Sequence, residues 1–307
     1  MGFMDTLMSE LRLGIMGMSD GNGHPYSWAA ICNGYHPEAM ADCPFPVIPR
    51  YLAGRAVPGN LVEGARVTHV WTQDRKVSEH IASASRINTV VDGYTEMIGH
   101  VDAVLLARDD AENHLRMSGP FIEAGLPVYI DKPIALDRQT LDAILALEQY
   151  PGQVFSCSAV RYAREMQVTK THREEMGGIT AVYATTPKTW RTYAAHIVEP
   201  VLAALGDPGE VAASCTFAGG GKTIVIIEWS SGVAAVFAAL GSSDAPLQMT
   251  VHGTKKTMTY SFSNTYDAFK ASLEAFVQGV RQGRQIIGRR EFEQVVDIIE
   301  RGMKKGA

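Results

Sequence analysis

The decapeptide Leu126-Pro127-Val128-Tyr129-Ile130-Asp131-Lys132-Pro133-Ile134-Ala135 runs from an apolar core into a charged pair and a proline. A run this short, set between Gly125 and Pro133, fits a buried strand, because proline cannot donate to the sheet ladder and stops it. Lys132 then stands at the carboxyl edge of a sheet, where open α/β folds keep their ligands. A cis Lys132-Pro133 bond suits so sharp a turn. An ordinary Lys-Pro strand end fits the same residues.

Toward the N-terminus the pattern repeats. Residues 101–107 form a second strongly apolar run, and the segment from Arg108 to His114 starts a helix that stops at Gly125, so His114 begins at the same sheet edge as Lys132. Residues 11–17 form another run bounded by glycine, followed by Met18-Ser19-Asp20-Gly21-Asn22-Gly23-His24-Pro25, where Pro25 suits the first turn of a helix. Strand, glycine-rich turn and helix start follow in the order a dinucleotide site requires, since backbone N–H groups must approach the pyrophosphate closely. No G-x-G-x-x-G can be laid on this loop, Asp20 adds a carboxylate, and a plain βα turn also fits.

Residues 66–74 read as the second strand, whose end is where a dinucleotide domain meets the adenosine ribose. Thr72 aligns with the ribose-binding carboxylate and Asp74 lies two residues later. A hydroxyl there tolerates a 2′-phosphate that Arg75 and Lys76 can pair with, so NAD and NADP both stay open; the two cations also fit a solvated helix start. The interval 33–66 carries five prolines and exceeds a normal helix-to-strand link, so it reads as an inserted excursion that covers a cofactor edge or serves an interface. With helices at 77–84 and 136–150, a short element at 90–94 and a strand at 153–160, the alternation predicts a right-handed, doubly wound parallel sheet. The fold class is α/β, with a dinucleotide-binding domain over 1–159.

Residues 160–307 read as an α+β domain for substrate binding and oligomerisation. A helix over 162–176, a strand over 179–186 and a helix containing His196 precede segments 211–217, 223–230, 233–240, 248–252 and 256–262, whose hairpin spacing predicts one large, mainly antiparallel sheet. Helices over 266–281 and 291–303 and a loose end at 304–307 close the chain. Gly219-Gly220-Gly221-Lys222-Thr223 looks like the end of a phosphate-binding loop, but Thr216 stands where the first glycine belongs and a strand follows, so it reads as a hairpin turn.

At 307 residues and 46% hydrophobic, the chain can fill two domains without disulfides. A net charge of -5 without a basic stripe argues against nucleic acid. Cys32, Cys43, Cys157 and Cys215 are scattered, with no spacing that clamps a metal, and read as small buried residues of a reducing, cytoplasmic protein. No apolar run approaches the roughly 20 residues that span a membrane. Met1-Gly2-Phe3-Met4-Asp5-Thr6 matches a loose myristoylation pattern, but nothing nearby is polybasic, and the match reads as fortuitous.

Together, Leu13-Gly14-Ile15-Met16-Gly17, residues 101–107 with His114, Ala124 through Pro133, and Thr192-Tyr193-Ala194-Ala195-His196 resemble the glucose-fructose oxidoreductase / inositol dehydrogenase / rhizopine-catabolism (Gfo/Idh/MocA) family. The resemblance extends over nearly the whole chain. It implies that Lys132 is the lysine of the Glu-Lys-Pro motif, with Asp131 in place of glutamate, and that His196 is the histidine of the Asp-x-x-x-His motif, with Thr192 in place of aspartate. It implies cofactor contacts from Gly17, Ser19, Gly21, Asn22, Gly23, His24, Thr72, Asp74, Arg75, Ala107, Arg108, His114, Asp131 and Lys132.

The activity it implies is hydride transfer between NAD or NADP and a hydroxyl or keto group of a sugar, cyclitol or sugar-derived substrate. Histidine suits the acid/base role because its unperturbed pKa of about 6.5 lies near working pH. Lys132 then polarises the substrate oxygen, and Thr192 is an auxiliary hydrogen-bond partner. Two other readings share these residues: a nicotinamide-binding regulator or scaffold without turnover, and a lyase or hydrolase that oxidises its substrate transiently. An apolar open face on the second sheet predicts a homodimer or homotetramer.

Overall fold

The computed structural model describes residues 10–304. The myristoylation-like stretch and the last three residues of the tail lie outside the described residues. The chain divides into two compact units: Met1–Ile134, Asp142–Ser156 and Phe269–Gly288 form the first, and Ala135–Leu141, Cys157–Ala268 and Arg289–Ala307 the second.

The first unit begins with β1 (Leu11–Met16), α1 (His24–Asn33), the short helices α2 (Pro37–Ala41) and α3 (Val47–Leu52), β2 (Ala65–Trp71), α4 (Arg75–Ala84) and β3 (Thr89–Val90). It continues through β4 (Ala103–Leu106), α5 (His114–Glu123) and β5 (Val128–Ile130); α6 (Arg138–Leu145) then leads to β6 (Val154–Ser156). The six strands pair in the order β3-β2-β1-β4-β5-β6, all parallel. This is the doubly wound sheet the alternation predicts, with its order reversing between β1 and β4. The Lys132-Pro133 bond is cis.

Every residue of α1 except His24 is buried. A helix enclosed on all sides must be covered on all sides. One side lies on β2 and another under α3, so the inserted excursion roofs this helix. The fit is tight at the helix start, where a Cβ on Gly23 would come within 2.5 Å of Phe45 and 2.6 Å of Ile48.

The second unit holds α7 (Lys170–Met176), β7 (Ile179–Thr186), α8 (Trp190–Tyr193), α9 (Ala195–Leu205), β8 (Val211–Gly219), β9 (Lys222–Trp229), β10 (Ala234–Ala239), β11 (Gln248–Gly253) and β12 (Thr257–Ser261). The strands pair as β12-β11-β7-β10-β9-β8, antiparallel except for β7 with β10. Gly220 and Gly221, at φ 58° and 76°, make the tight turn between β8 and β9, as the strand after Lys222 predicts. One face of this sheet buries Val182, Ala184, Val225, Ile227 and Phe237. The other carries a cross-strand row of Thr259, Thr250, Tyr183, Val236, Ile226 and Cys215. Tyr183 on that row is 51% exposed and Phe217 nearby on β8 58%.

The chain ends with α10 (Thr265–Gln282) and α11 (Arg289–Met303). From Phe269 onward α10 belongs to the first unit, where Phe276 packs 5.6 Å from Tyr129 and 5.7 Å from Phe155. Burial of one such ring stabilises by roughly 2–3 kcal/mol.

Three local expectations change. The helix expected over 162–176 exists only as α7, because Ala163 and Gln167 take extended ψ values of 126° and 123° and break the preceding stretch into single turns. Thr169 then starts α7 by accepting the His172 N–H. The helix expected over 136–150 covers only Arg138–Leu145. Cys215 is exposed on β8, unlike the other three thiols.

Candidate functional site

Four strand ends of the first unit converge on the segments after β1, β2, β4 and β5. Gly17 ends β1 against the start of α1, where a Cβ would meet the Pro25 ring at 2.4 Å and the Ala107 carbonyl at 3.1 Å. The loop beyond it turns at Gly21, φ 73°, and folds back through Asn22, whose N–H donates to the Ser19 carbonyl.

Asp131, only 1% exposed, is the centre of this loop's polar contacts. Its Oδ2 accepts from Asn22 Nδ2 at 2.9 Å and lies 2.5 Å from His24 Nδ1, while Oδ1 accepts the Lys132 N–H at 2.8 Å. Burial by itself would raise this carboxyl, but the charges and hydrogen bonds of His24, Lys132 and Asn22 outweigh it and hold the group well below the usual carboxylate range. Asn22 also accepts the His24 N–H at 2.8 Å. His24 is stacked on Trp28 at 5.2 Å, with Phe269 edge-on at 5.0 Å.

Lys132, 4% exposed, extends its Nζ to 3.3 Å from Asp109 Oδ2. Asp109 in turn accepts from the Ser19 hydroxyl at 2.6 Å and donates its N–H to the same oxygen at 3.1 Å. The loops after β1, β4 and β5 are thereby joined through side chains. Beneath them His114 is fully buried, its two ring nitrogens 2.8 Å from the Arg108 carbonyl and 3.1 Å from the Ile134 carbonyl. It braces the segments that carry Asp109 and Lys132.

A second cluster lies after β2. The Thr72 hydroxyl is turned inward, donating to the Asp74 carbonyl at 2.7 Å and meeting Ser78 Oγ at 2.8 Å. Asp74 caps α4 by accepting the Lys76 N–H. Arg75 pairs with Glu79 and Asp92. Gln73 ties this cluster to the first, accepting the Met18 N–H at 2.9 Å and donating to the Met18 carbonyl at 2.6 Å. Arg108 reaches Gln73 at 3.4 Å and pairs with Asp110. Ala107 donates its N–H to the Met16 carbonyl as part of the sheet.

In the second unit, His196 stands one residue into α9 and its Nδ1 lies 2.7 Å from Ser158 Oγ. The Tyr193 ring meets it edge-on at 4.8 Å, and Lys188 Nζ lies 4.5 Å above that ring. Ser158 donates its N–H to Glu199 Oε1 at 2.8 Å. Thr192 hydrogen-bonds with the Thr189 hydroxyl at 2.9 Å. Arg161 faces Glu291 and Glu199; burial would lower its pKa, but the two carboxylates raise it above its ordinary value. Trp190 is a packing residue whose indole N–H donates to the Ile299 carbonyl.

Asp109, Gln73, Ser158 and Glu199 emerge only from the structure. Asp109 had a sequence signal, a carboxylate two residues beyond the apolar run 101–107. Ser158 had none, being 38 residues from His196.

Residues 53–158 match the model of the Gfo/Idh/MocA group, described as an oxidoreductase family with an NAD-binding Rossmann fold. The match begins after the atypical glycine loop. No curated protein matches the chain by sequence. Among solved structures, myo-inositol 2-dehydrogenase from Lactobacillus plantarum aligns over 97% of this chain and 98% of its own, with 15% identity and a TM-score of 0.68. Scyllo-inositol dehydrogenase from Lactobacillus casei, solved with NAD(H) and scyllo-inositol, covers 96% of both chains at 13% identity and a TM-score of 0.68. GenD2 from gentamicin A biosynthesis, solved with NAD, covers 97% of this chain and 94% of its own at 18% identity and a TM-score of 0.69. At these identities the likeness establishes the fold.

The loop after β1 fits a dinucleotide in one direct respect. Among the described residues, the N–H groups of Ser19, Asp20, Gly21 and Gly23 take no hydrogen bond. Donors left open at a strand-to-helix turn are what a pyrophosphate requires.

Proposed function

We propose, from the match of residues 53–158 to the Gfo/Idh/MocA oxidoreductase model with its NAD-binding Rossmann fold, that the chain is a nicotinamide-dependent dehydrogenase or reductase of that family acting on CH–OH groups. The substrate is a sugar, cyclitol or sugar-derived compound bearing the hydroxyl or keto group. The observation that carries this reading is Lys132: a buried ammonium at the carboxyl edge of β5, held by a carboxylate from the neighbouring strand end. A fixed cation at such an edge is suited to polarise an oxygen on which charge develops.

When bound, NAD supplies the hydride acceptor or donor. The amides of Ser19, Asp20, Gly21 and Gly23 would hold its pyrophosphate, and Asp131 would orient its ribose together with Asn22 and His24. Lys132 polarises the substrate oxygen, His196 exchanges the hydroxyl proton, and Thr192 serves as an auxiliary hydrogen-bond partner. NAD is favoured over NADP because Arg75 is already paired with Glu79 and Asp92 and the Thr72 hydroxyl is turned inward. The row of Tyr183, Val236 and Ile226 on the open sheet face supports a homodimer or homotetramer formed through that face. The four cysteines, none of them in a disulfide among the described residues, suit a cytoplasmic setting.

The test is titration with NADH and NADPH by nicotinamide fluorescence, followed by a screen of inositols, sugars and their keto forms. Binding with turnover that vanishes in Lys132→Ala supports the proposal. Binding of neither nucleotide would replace it with a scaffold. Product release without net NADH formation would move it to a lyase or hydrolase.

A further inference from the structure

We propose that Ser158 is the positioning residue of His196, and that it sets which ring nitrogen carries the proton. This rests on the reading of His196 as the proton-exchanging group. The family's motif places an aspartate four residues before this histidine; here Thr192 occupies that position, and its hydroxyl meets Thr189 in its own turn. The His196 ring has the Ser158 hydroxyl on Nδ1, 2.7 Å away.

Ser158 is well placed for that work. It is fully buried. Its N–H donates to Glu199 Oε1 at 2.8 Å, and its Oγ accepts the Val160 N–H at 3.3 Å. His196 and Glu199 lie three residues apart on α9, hence on one face, so a single helix face grips the side chain and the backbone of one serine. A buried hydroxyl has one proton to give and gives it to an acceptor. With the Val160 N–H on one lone pair, the Ser158 proton is directed at Nδ1. The neutral ring then carries its own proton on Nε2 and presents a donor there.

The substitution changes what the histidine can do. An aspartate only accepts, so it locks the proton on Nδ1 and leaves Nε2 bare, the form suited to taking a proton from an alcohol. A serine both donates and accepts. When its O–H turns away it accepts from Nδ1–H, so the ring can take an alcohol proton on Nε2 as the imidazolium, and that cation can return the Nε2 proton to a carbonyl oxygen and relax to the neutral Nδ1–H ring. Ser158 thus rests the neutral ring as an Nε2–H hydrogen-bond donor and, by turning, supports the imidazolium that moves the proton.

The tautomer is read directly from imidazole nitrogen shifts of His196 in the cofactor-free protein, assigned with His196→Gln. Wild type is expected in the Nε2–H form and Ser158→Ala as a mixture, with Ser158→Thr restoring the wild-type pattern. Single-turnover hydride transfer should fall by about tenfold or more in Ser158→Ala, and its pH profile should move, while NADH affinity stays within about twofold. An Nδ1–H ring in wild type, or a pattern and pH profile unchanged in Ser158→Ala, overturns the proposal. The tautomer result stands apart from the oxidoreductase reading, whose failure shows separately as an absence of nucleotide binding.

Discussion

The Asp131 carboxylate and the His24 imidazole meet 2.5 Å apart, joining the turn after β5 to the glycine loop after β1. Neither motif's usual residues make this contact: glutamate is replaced by the shorter aspartate, and the loop has gained a histidine where α1 begins. The contact links the backbone that would carry a pyrophosphate to the residue preceding Lys132. Position in one loop is therefore coupled to position in the other.

Because burial is outweighed by its partners, Asp131 has a folded-state pKa below its unfolded one. Its stabilisation is fully present above the unfolded value of about 3.9 and is lost as pH falls through the depressed folded value. Asp131→Asn should cost about 2 kcal/mol at neutral pH and flatten the acid limb of stability. Urea melts at neutral pH and near pH 4 or below test both claims. Parallel acid limbs in the two proteins would sink the linkage.

Lys132 and Asp109 should separate binding from chemistry. Lys132→Ala is expected to lower kcat by roughly 10²–10⁴ while leaving NADH binding within a few fold. Asp109→Asn removes the lysine's counter-charge and should give a smaller loss of kcat. Steady-state kinetics beside fluorescence titration checks the order; a kcat loss in Asp109→Asn as large as in Lys132→Ala would place the carboxylate itself in the reaction.

Arg75 is held by two carboxylates, so NADH should bind more tightly than NADPH. Replacing Asp92 with Asn and Glu79 with Gln together should free the guanidinium and narrow that gap by about tenfold, the effect of one new charge-assisted contact. Titration of wild type and double variant with both nucleotides decides it. Equal ratios in the two proteins would mean that the 2′-phosphate never reaches Arg75.

Gly302 on α11 lets the helix lie directly on Trp190, since an added Cβ would fall 2.2 Å from the indole. Gly302→Ala should therefore destabilise the second unit by about 1–3 kcal/mol through overpacking, despite alanine's better helix propensity. Tryptophan emission during thermal melts gives the readout. A variant as stable as wild type would show that the indole can shift at no cost.

The fold was legible because hydrophobic period and chain punctuation agree over most of the sequence. Short apolar runs ending in Gly17, Ala107 and Pro133 sit where β1, β4 and β5 end, and the glycine pair at 220–221 forms its hairpin. The stretch after Arg161 misled because its helix-like periodicity gives no warning that Ala163 and Gln167 turn extended. At the candidate site, Lys132 and His196 were legible as residue types at element ends. Their partners were not: Asp109 and Ser158 reach them by tertiary proximity, which no spacing in the chain encodes. Thr72 and Asp74 show the opposite limit, since a residue aligned for a ligand can equally turn into the adjacent helix start.

Helix α10 also bears on how the molecule is made. The aromatic bed of Trp28, Tyr129 and Phe155 is laid down early, yet Phe276, which packs on that bed, follows Phe155 by 121 residues. During translation the first unit must wait, with part of its core open, until the intervening second-unit segment and α10 have left the ribosome. A fragment cut after residue 159 would keep that wait permanently, and its exposed rings would favour aggregation over an independent domain.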